Sequence, residues 1–276
     1  MPDLNIYRTP KLYLEANETF LQQKEMENNL LLGNCYNAIL ENRNLEGCYF
    51  VNVLAENSIL ASSVKLSPKI IISGNDEVSI KEIFQFYKKN TSDFKGVIGN
   101  RFASDLFEKL SSIEILQTRV TFIQSLNRVK EVSLAGGSFG LAASEHFYIL
   151  FDWTIQFFEA ENLFPKRTSE QIQLFVKNLI EQKNLFCWIN DGKLVSMAAV
   201  IRKTKDTAII GLVYTPKEFR GRGFGKSCVH GLSTYILRNG FKESGLLVYS
   251  LNTIALTIYE QLGYKTVSEL LDIDFV

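Results

Sequence analysis

The sequence predicts an α/β protein with a mixed sheet: a C-terminal domain over residues 128–276, preceded by a smaller α/β domain over residues 1–127. Three observations carry this. Short apolar runs of strand type alternate with longer amphipathic stretches of helical period along both halves of the chain. A hairpin signal, Asn190-Asp191-Gly192 between Phe186–Ile189 and Leu194–Arg202, is followed by a nearly all-apolar run, Thr207–Tyr214, of the kind found in central strands. That run breaks at Thr215-Pro216 and leads through Arg220-Gly221-Arg222-Gly223-Phe224-Gly225 into a helical pattern, Lys226–Arg238.

In the first half, Pro10–Phe20 predicts a helix with Thr9 at its N-cap and Pro10 in its first turn. A second helix is expected over Gln22–Leu40. From Gly47 the period changes, and CYFVNVLAEN, SILASSVKLS and KIIISG predict three strands, the first two joined near Glu56-Asn57. Val78–Lys89 is amphipathic, with Ile80, Ile83, Phe84 and Tyr87 on one side. FKGVIGN predicts a strand, Arg101–Leu110 a helix and Ile115–Leu126 a strand. This half shows no cluster of acids, histidines or arginines. Gly96–Asn100 stands where a phosphate loop would fall in this order, but it lacks arginine and clustered glycines. The first domain is therefore expected to be shaped like the second and to lack a cofactor site.

Polar residues Asn127–Glu131 carry the boundary, and Gly136, Gly137 and Gly140 mark a turn. A helix is expected from about Ser144, capped by Ser144 and Glu145, with Ile149, Trp153, Ile155 and Phe157 as core. Ser169–Glu181 is a second helix. After the glycine turn and its helix come a strand (GLLVYS), a helix over Asn252–Gln261 and one or two strands over Tyr264–Phe275. The order is β-α-α-β-β-β-α-β-α-β.

Composition narrows the function. Thirty Lys and Arg balance thirty Asp and Glu, which argues against a nucleic-acid binder acting through a bulk basic surface. No apolar stretch reaches the roughly 18 residues of a membrane span, and the N-terminus does not read as a signal peptide. A cytoplasmic protein with no membrane partner is expected. Cys35, Cys48, Cys187 and Cys228 show no C-x-x-C pairing and read as buried thiols. With only His146 and His230 as histidines, a metal site is not expected.

The turn at Arg220–Gly225 has the chemistry of an oxyanion seat. A helix start leaves backbone N–H groups unpaired, glycines let a ligand approach them, and Arg220 and Arg222 add positive charge. A P-loop is excluded because its first glycine would fall at Arg220. The dinucleotide fingerprint is excluded because the third glycine comes one residue early. The pattern R-G-x-G-x-G after a strand and Thr-Pro instead resembles the pyrophosphate loop of the GNAT superfamily of acyl-CoA-dependent N-acyltransferases. A second block is similar to the same family: Asn252, Ala255, Tyr259 and Gly263-Tyr264 follow its spacing N-x-x-A-x-x-x-Y-x-x-x-G-[FY]. GKLVSMAAV is a third. The resemblance covers about residues 130–276, and the whole chain, through ENNLLLGN, SMAAV and GLVYTP, also resembles a group in which such a domain follows a degenerate GNAT-like one.

The resemblance implies acetyl-CoA or another acyl-CoA as co-substrate and a primary amine, on a small molecule or a peptide, as acceptor. It seats the cofactor on Leu212, Val213 and Tyr214 of a splayed strand, on Arg220, Gly221, Arg222, Gly223, Phe224, Gly225 and Lys226, and on Asn252. Backbone N–H groups of Leu212 or Val213 would polarise the thioester carbonyl, and Tyr259 would protonate the leaving thiolate. The central strand carries no carboxylate to serve as base. Glu159 and Glu161 are the candidates to hold or deprotonate the amine, against the plainer reading of solvated acids. Direct attack by the amine is expected, without a covalent enzyme intermediate. The alternative is a non-catalytic acyl-CoA-binding sensor or adapter. A homodimer stays open.

Overall fold

The structure, a computed structural model, describes residues 2–56, 58–91, 94–162 and 166–276. In chain order the elements are β1 (Asp3–Tyr7), α1 (Pro10–Gln22), α2 (Asn29–Leu40), β2 (Tyr49–Ala55), β3 (Ser58–Lys65), β4 (Lys69–Gly74), α3 (Glu77–Asn90), β5 (Gly96–Asn100), α4 (Arg101–Ser111) and β6 (Ile115–Leu126). They continue as β7 (Ser138–Leu141), α5 (Phe147–Glu161), α6 (Ser169–Glu181), β8 (Leu185–Asn190), β9 (Lys193–Lys203), β10 (Thr207–Tyr214), α7 (Phe224–Arg238), β11 (Glu243–Tyr249), α8 (Thr253–Leu262) and β12 (Lys265–Phe275). Apart from two short 3-10 turns, the second series repeats the first element for element. The expected mixed α/β architecture is present. Two compact units result: one holds the residues up to Ile123 with Tyr249–Leu251 and Val267–Val276, the other Gln124–Val248 with Asn252–Thr266.

In the first unit the strands follow the order β1-β2-β3-β4-β5-β12-β6. β4 and β5 are parallel, and β12 runs antiparallel to β5 with Ile273 opposite Val97. The amphipathic face of α3 and that of α4 bury Ile80, Ile83, Phe84, Tyr87, Ala103 and Phe107 against Val51, Ile70, Ile72, Val97 and Ile273. Each such fully buried large side chain contributes about 1.5–3 kcal/mol.

One expectation changes here. The helix expected over Gln22–Leu40 begins only at Asn29. The side-chain amides of Asn28 and Asn29 donate to the carbonyls of Leu21 (3.1 Å) and Met26 (2.6 Å) and compete with helix continuation. Gly96–Asn100 forms the strand expected of FKGVIGN, and Gly99 in it lies so close to Ile72 that a Cβ would sit 2.0 Å from its carbonyl. The first half supplies no acid cluster of its own, but its Lys69 and Arg119 are buried together with Asp272 and Asp274 of the last strand, with Lys69 Nζ 2.5 Å from Asp272 and Arg119 3.1 Å from Asp274. Three strands distant in sequence supply them, so no local motif announces the cluster. Of the expected Glu56-Asn57 turn, Asn57 lies outside the described residues, and Glu56 takes a left-handed φ of 48°.

In the second unit the order is β11-β10-β9-β8-β7, with β10 parallel to β11 and antiparallel to β9. The Asp191-Gly192 hairpin forms, both residues having positive φ. α5 and α6 pack Leu150, Trp153, Ile172, Val176 and Leu179 on Cys187, Met197, Leu212 and Tyr214. Ile149, expected in the core, is 42% exposed because the helix phase turns Leu150 and Trp153 inward instead. Nor does Ser144 cap this helix: a 3-10 turn over Ser144–His146 precedes it, and the backbone N–H of Ala143 donates to His146 Nδ1 at 3.1 Å. Gly137, at φ 121°, lets the chain pass against Ile189, and the Gly136 carbonyl accepts from the Trp188 indole at 3.0 Å.

Candidate acyl-CoA site in the second unit

The parallel pairing of β10 with β11 runs from Thr207↔Glu243 to Ile210↔Leu246 and stops there. On its other side β10 bulges: Gly211 pairs with Ala199 and Tyr214 with Met197, so Leu212 and Val213 oppose the single residue Ala198. Leu212 absorbs the bulge in a left-handed conformation, φ 52°. For a residue with a Cβ this costs about 1–2 kcal/mol, and its buried side chain in the α5–α6 core holds it there. Leu212 and Val213 thus stand out of register with β9 before Tyr214 rejoins it. Two side chains brace this end of β10. Ser196 Oγ donates to the Tyr214 carbonyl at 3.0 Å, and Tyr214 Oη donates to Gln156 Oε1 at 2.5 Å.

The turn that follows is built around conformation and space. Gly221 and Gly223 have φ of 75° and 80°, and a Cβ would meet open space at Gly221 and only an ordinary contact of 3.8 Å with Ala135 at Gly223, so the left-handed backbone is what requires glycine. Gly225 sits in a tight spot, where a Cβ would lie 3.0 Å from Thr215 Oγ1. α7 starts at Phe224 with Gly223 as N-cap and no side-chain cap. Helix geometry leaves the N–H groups of Phe224, Gly225 and Lys226 without an intrahelical acceptor, an arrangement suited to anionic oxygens. Arg220 and Arg222 are exposed and lie back on their own loop. Arg220 Nε donates to the Thr215 carbonyl at 2.9 Å, with its guanidinium 5.8 Å from the Tyr214 ring, and Arg222 sits 4.8 Å over the buried Phe224. Ser227 ties the turn down, accepting from the Ala135 N–H at 2.9 Å and donating to the Gly223 carbonyl at 3.1 Å.

α8 supplies the remaining candidates. Asn252 Oδ1 accepts from the Ala255 N–H at 3.1 Å and caps the helix, leaving its amide NH2 as a donor. Two turns on, Tyr259 is 8% exposed beside Tyr264, ring centroids 5.9 Å apart. Burial first, then Tyr264 and the negative charge of Glu161, raise its pKa well above the usual phenol, so it keeps its proton at neutral pH. Tyr264 is pushed up to about 12 by burial, partly offset by the hydroxyls of Ser233 and Ser244 at 2.8 and 2.7 Å. Of the two acids in the last turn of α5, Glu161 acts electrostatically on Tyr259, whereas Glu159 is exposed. Cys187 and Cys228 are buried free thiols with raised pKa, Cys187 at about 12, which makes both poor nucleophiles. Gln156, Ser196 and Ser227 escaped the sequence reading; only Ser227, directly after Gly225-Lys226, carried a local signal. Among the described residues no group of three or more His, Cys, Asp or Glu could hold a metal ion.

Residues 189–271, which contain the bulge, the turn and α8, match the FR47-like protein family. A solved acetyltransferase of the GNAT family from Colwellia psychrerythraea is similar over 99% of this chain and all of its own, at 13% identity and a TM-score of 0.60. The fold is that of the GNAT superfamily. A Drosophila protein superposes over 100% of this chain and 99% of its own, at 12% identity and a TM-score of 0.69. A tandem GNAT protein from the clavulanic acid biosynthesis pathway covers 82% of both chains at 12% identity and a TM-score of 0.51, in keeping with a GNAT fold of the two-domain type. No curated protein matches the sequence. Among the described residues no helix is long and apolar enough to cross a membrane.

Proposed function

We propose that the protein transfers an acetyl or similar acyl group from an acyl-CoA to a primary amine. The observation that carries this reading is the opening between β10 and β11 after Ile210↔Leu246, with Leu212 bulged at its edge and an uncapped, glycine-entered helix start beside it. The N–H groups of Phe224, Gly225 and Lys226 take the pyrophosphate, with Arg220 and Arg222 supplying charge from the rim, and the bulged backbone of Leu212 and Val213, running into Tyr214, meets the amides of the pantetheine arm. An N–H of Leu212 or Val213 stabilises the oxyanion, and the free amide donor of Asn252 faces the cofactor.

The amine nitrogen attacks the thioester carbonyl carbon. As the C–N bond forms and the C–S bond breaks, the thiolate takes the Tyr259 phenol proton. The proton lost by the amine leaves through Glu161 or solvent and restores the phenol. Glu161 is favoured over Glu159 by its electrostatic action on Tyr259. The deciding experiment is calorimetric titration of the full chain with acetyl-CoA and CoA, followed by a thiol-release assay over small amines, amino acids and peptides. Binding together with acceptor-dependent thiol release is expected. Binding without release across the panel would favour a non-catalytic acyl-CoA sensor, and no binding would refute the site.

A further inference from the structure

The first unit holds a cavity of about 410 Å³ that the acyl-transfer reading does not use. It opens at the carboxyl ends of β4 and β5, where their parallel pairing stops at Ile72↔Gly99. Phe20, Leu30, Leu31, Ile71 and Ile72 give it an apolar floor. Its volume falls within the roughly 300–1,000 Å³ of small-molecule sites, and the ends of parallel strands are where α/β folds bind ligands.

Charge at the mouth specifies what fits. Asp76, which lines the cavity, caps α3 by accepting from the Ser79 N–H at 2.8 Å and the Ser79 hydroxyl at 2.6 Å. Both bonds end on Oδ2, and Oδ1 makes none among the described residues. Lys24 also lines the cavity, but it is exposed and pairs at 3.3 Å with Glu27, a second acid of the lining, so the mouth carries one cation against two carboxylates. An anion therefore meets an ionised carboxylate at the helix start, while a cation meets an oxygen without a donor. We propose that this cavity binds a small apolar molecule carrying a protonated amine, its ammonium on Asp76 Oδ1 and its apolar part on the floor.

The inference stands independently of acyl transfer and is tested by calorimetry on the full chain at neutral pH. The probes are phenethylamine, its neutral analogue 2-phenylethanol and the anion 3-phenylpropionate. The amine is expected to bind about tenfold more tightly than the alcohol, with the anion weakest. Asp76→Asn keeps a good N-cap and should erase the amine's advantage while leaving the alcohol unchanged. Leu60→Trp, which fills the cavity from its wall, should abolish binding of both. Equal binding of the three probes, tighter binding of the anion, no binding of the amine, or amine binding that persists in both variants would each overturn the proposal.

Discussion

The two units pass through the same order of elements and differ where a helix follows the strand at the opening. In the first, β4 enters α3 through Gly74-Asn75-Asp76, and a carboxylate caps the helix. In the second, β10 enters α7 through a longer turn whose cap is Gly223, without a side chain. The next helix repeats the contrast. Asn100, Ala103 and Phe107 of the first unit correspond in spacing to Asn252, Ala255 and Tyr259 of the second. Asn252 spends its oxygen on the helix cap, whereas Asn100 turns its amide to the Gly74 carbonyl (3.0 Å) and Asn75 (2.7 Å) and staples the strand end to the loop. Phe107 has no hydroxyl and lies wholly in the core. One scaffold thus appears with a side-chain-capped helix start and with an uncapped one, and a few side chains make the difference.

The largest effect is expected from breaking what belongs to the first unit alone. Asp274→Ala leaves Lys69 and Arg119 buried with half their counter-charge, and should cost about 3–5 kcal/mol in a denaturant titration. The next two substitutions convert the second unit toward the first. Tyr259→Phe copies Phe107, and should lower turnover on the order of 10²–10³-fold with acyl-CoA affinity little changed; undiminished turnover would remove Tyr259 as the acid. Gly223→Asp copies Asp76, placing a carboxylate at the start of α7. CoA affinity should drop by roughly 100-fold through lost charge-assisted bonds and repulsion, and the left-handed φ of 80° at Gly223 should lower the thermal midpoint as well; unchanged affinity would show that the helix start does not bind the pyrophosphate.

The smallest effect concerns pH. Tyr13 and Tyr87 in the first unit and Tyr259 and Tyr264 in the second all have pKa raised by burial. Above the unfolded phenol value of about 10, the unfolded chain loses protons that the folded one retains, so stability falls as pH rises. Below that value these groups contribute no pH dependence. Absorbance at alkaline pH should show an early class of tyrosines, then these four appearing together with unfolding; their titration in a still-folded chain would contradict the burial assigned to them.

Much of this was legible because local chemistry dictates it. The Asp191-Gly192 hairpin, the amphipathic α3, the glycine turn and the Asn252–Tyr259 spacing depend on residues adjacent in sequence or one to two helical turns apart. The strand over Gly96–Asn100 was legible too, whereas its close approach to Ile72, which leaves no room for a Cβ at Gly99, depends on the parallel pairing of β4 with β5.

The sequence by itself determined the alternation of elements, the glycines that a left-handed turn requires, and the pairing of a phosphate-type turn with a phenol-bearing helix. Only the tertiary structure decided that Leu212 takes a strained left-handed conformation, because that depends on β9 offering one residue against two and on a core that holds the side chain. It also decided that Lys69, Arg119, Asp272 and Asp274 share one buried site and that β12 pairs with β5. Those outcomes rest on contacts between residues far apart along the chain, whose energies appear only once the strands have been brought together.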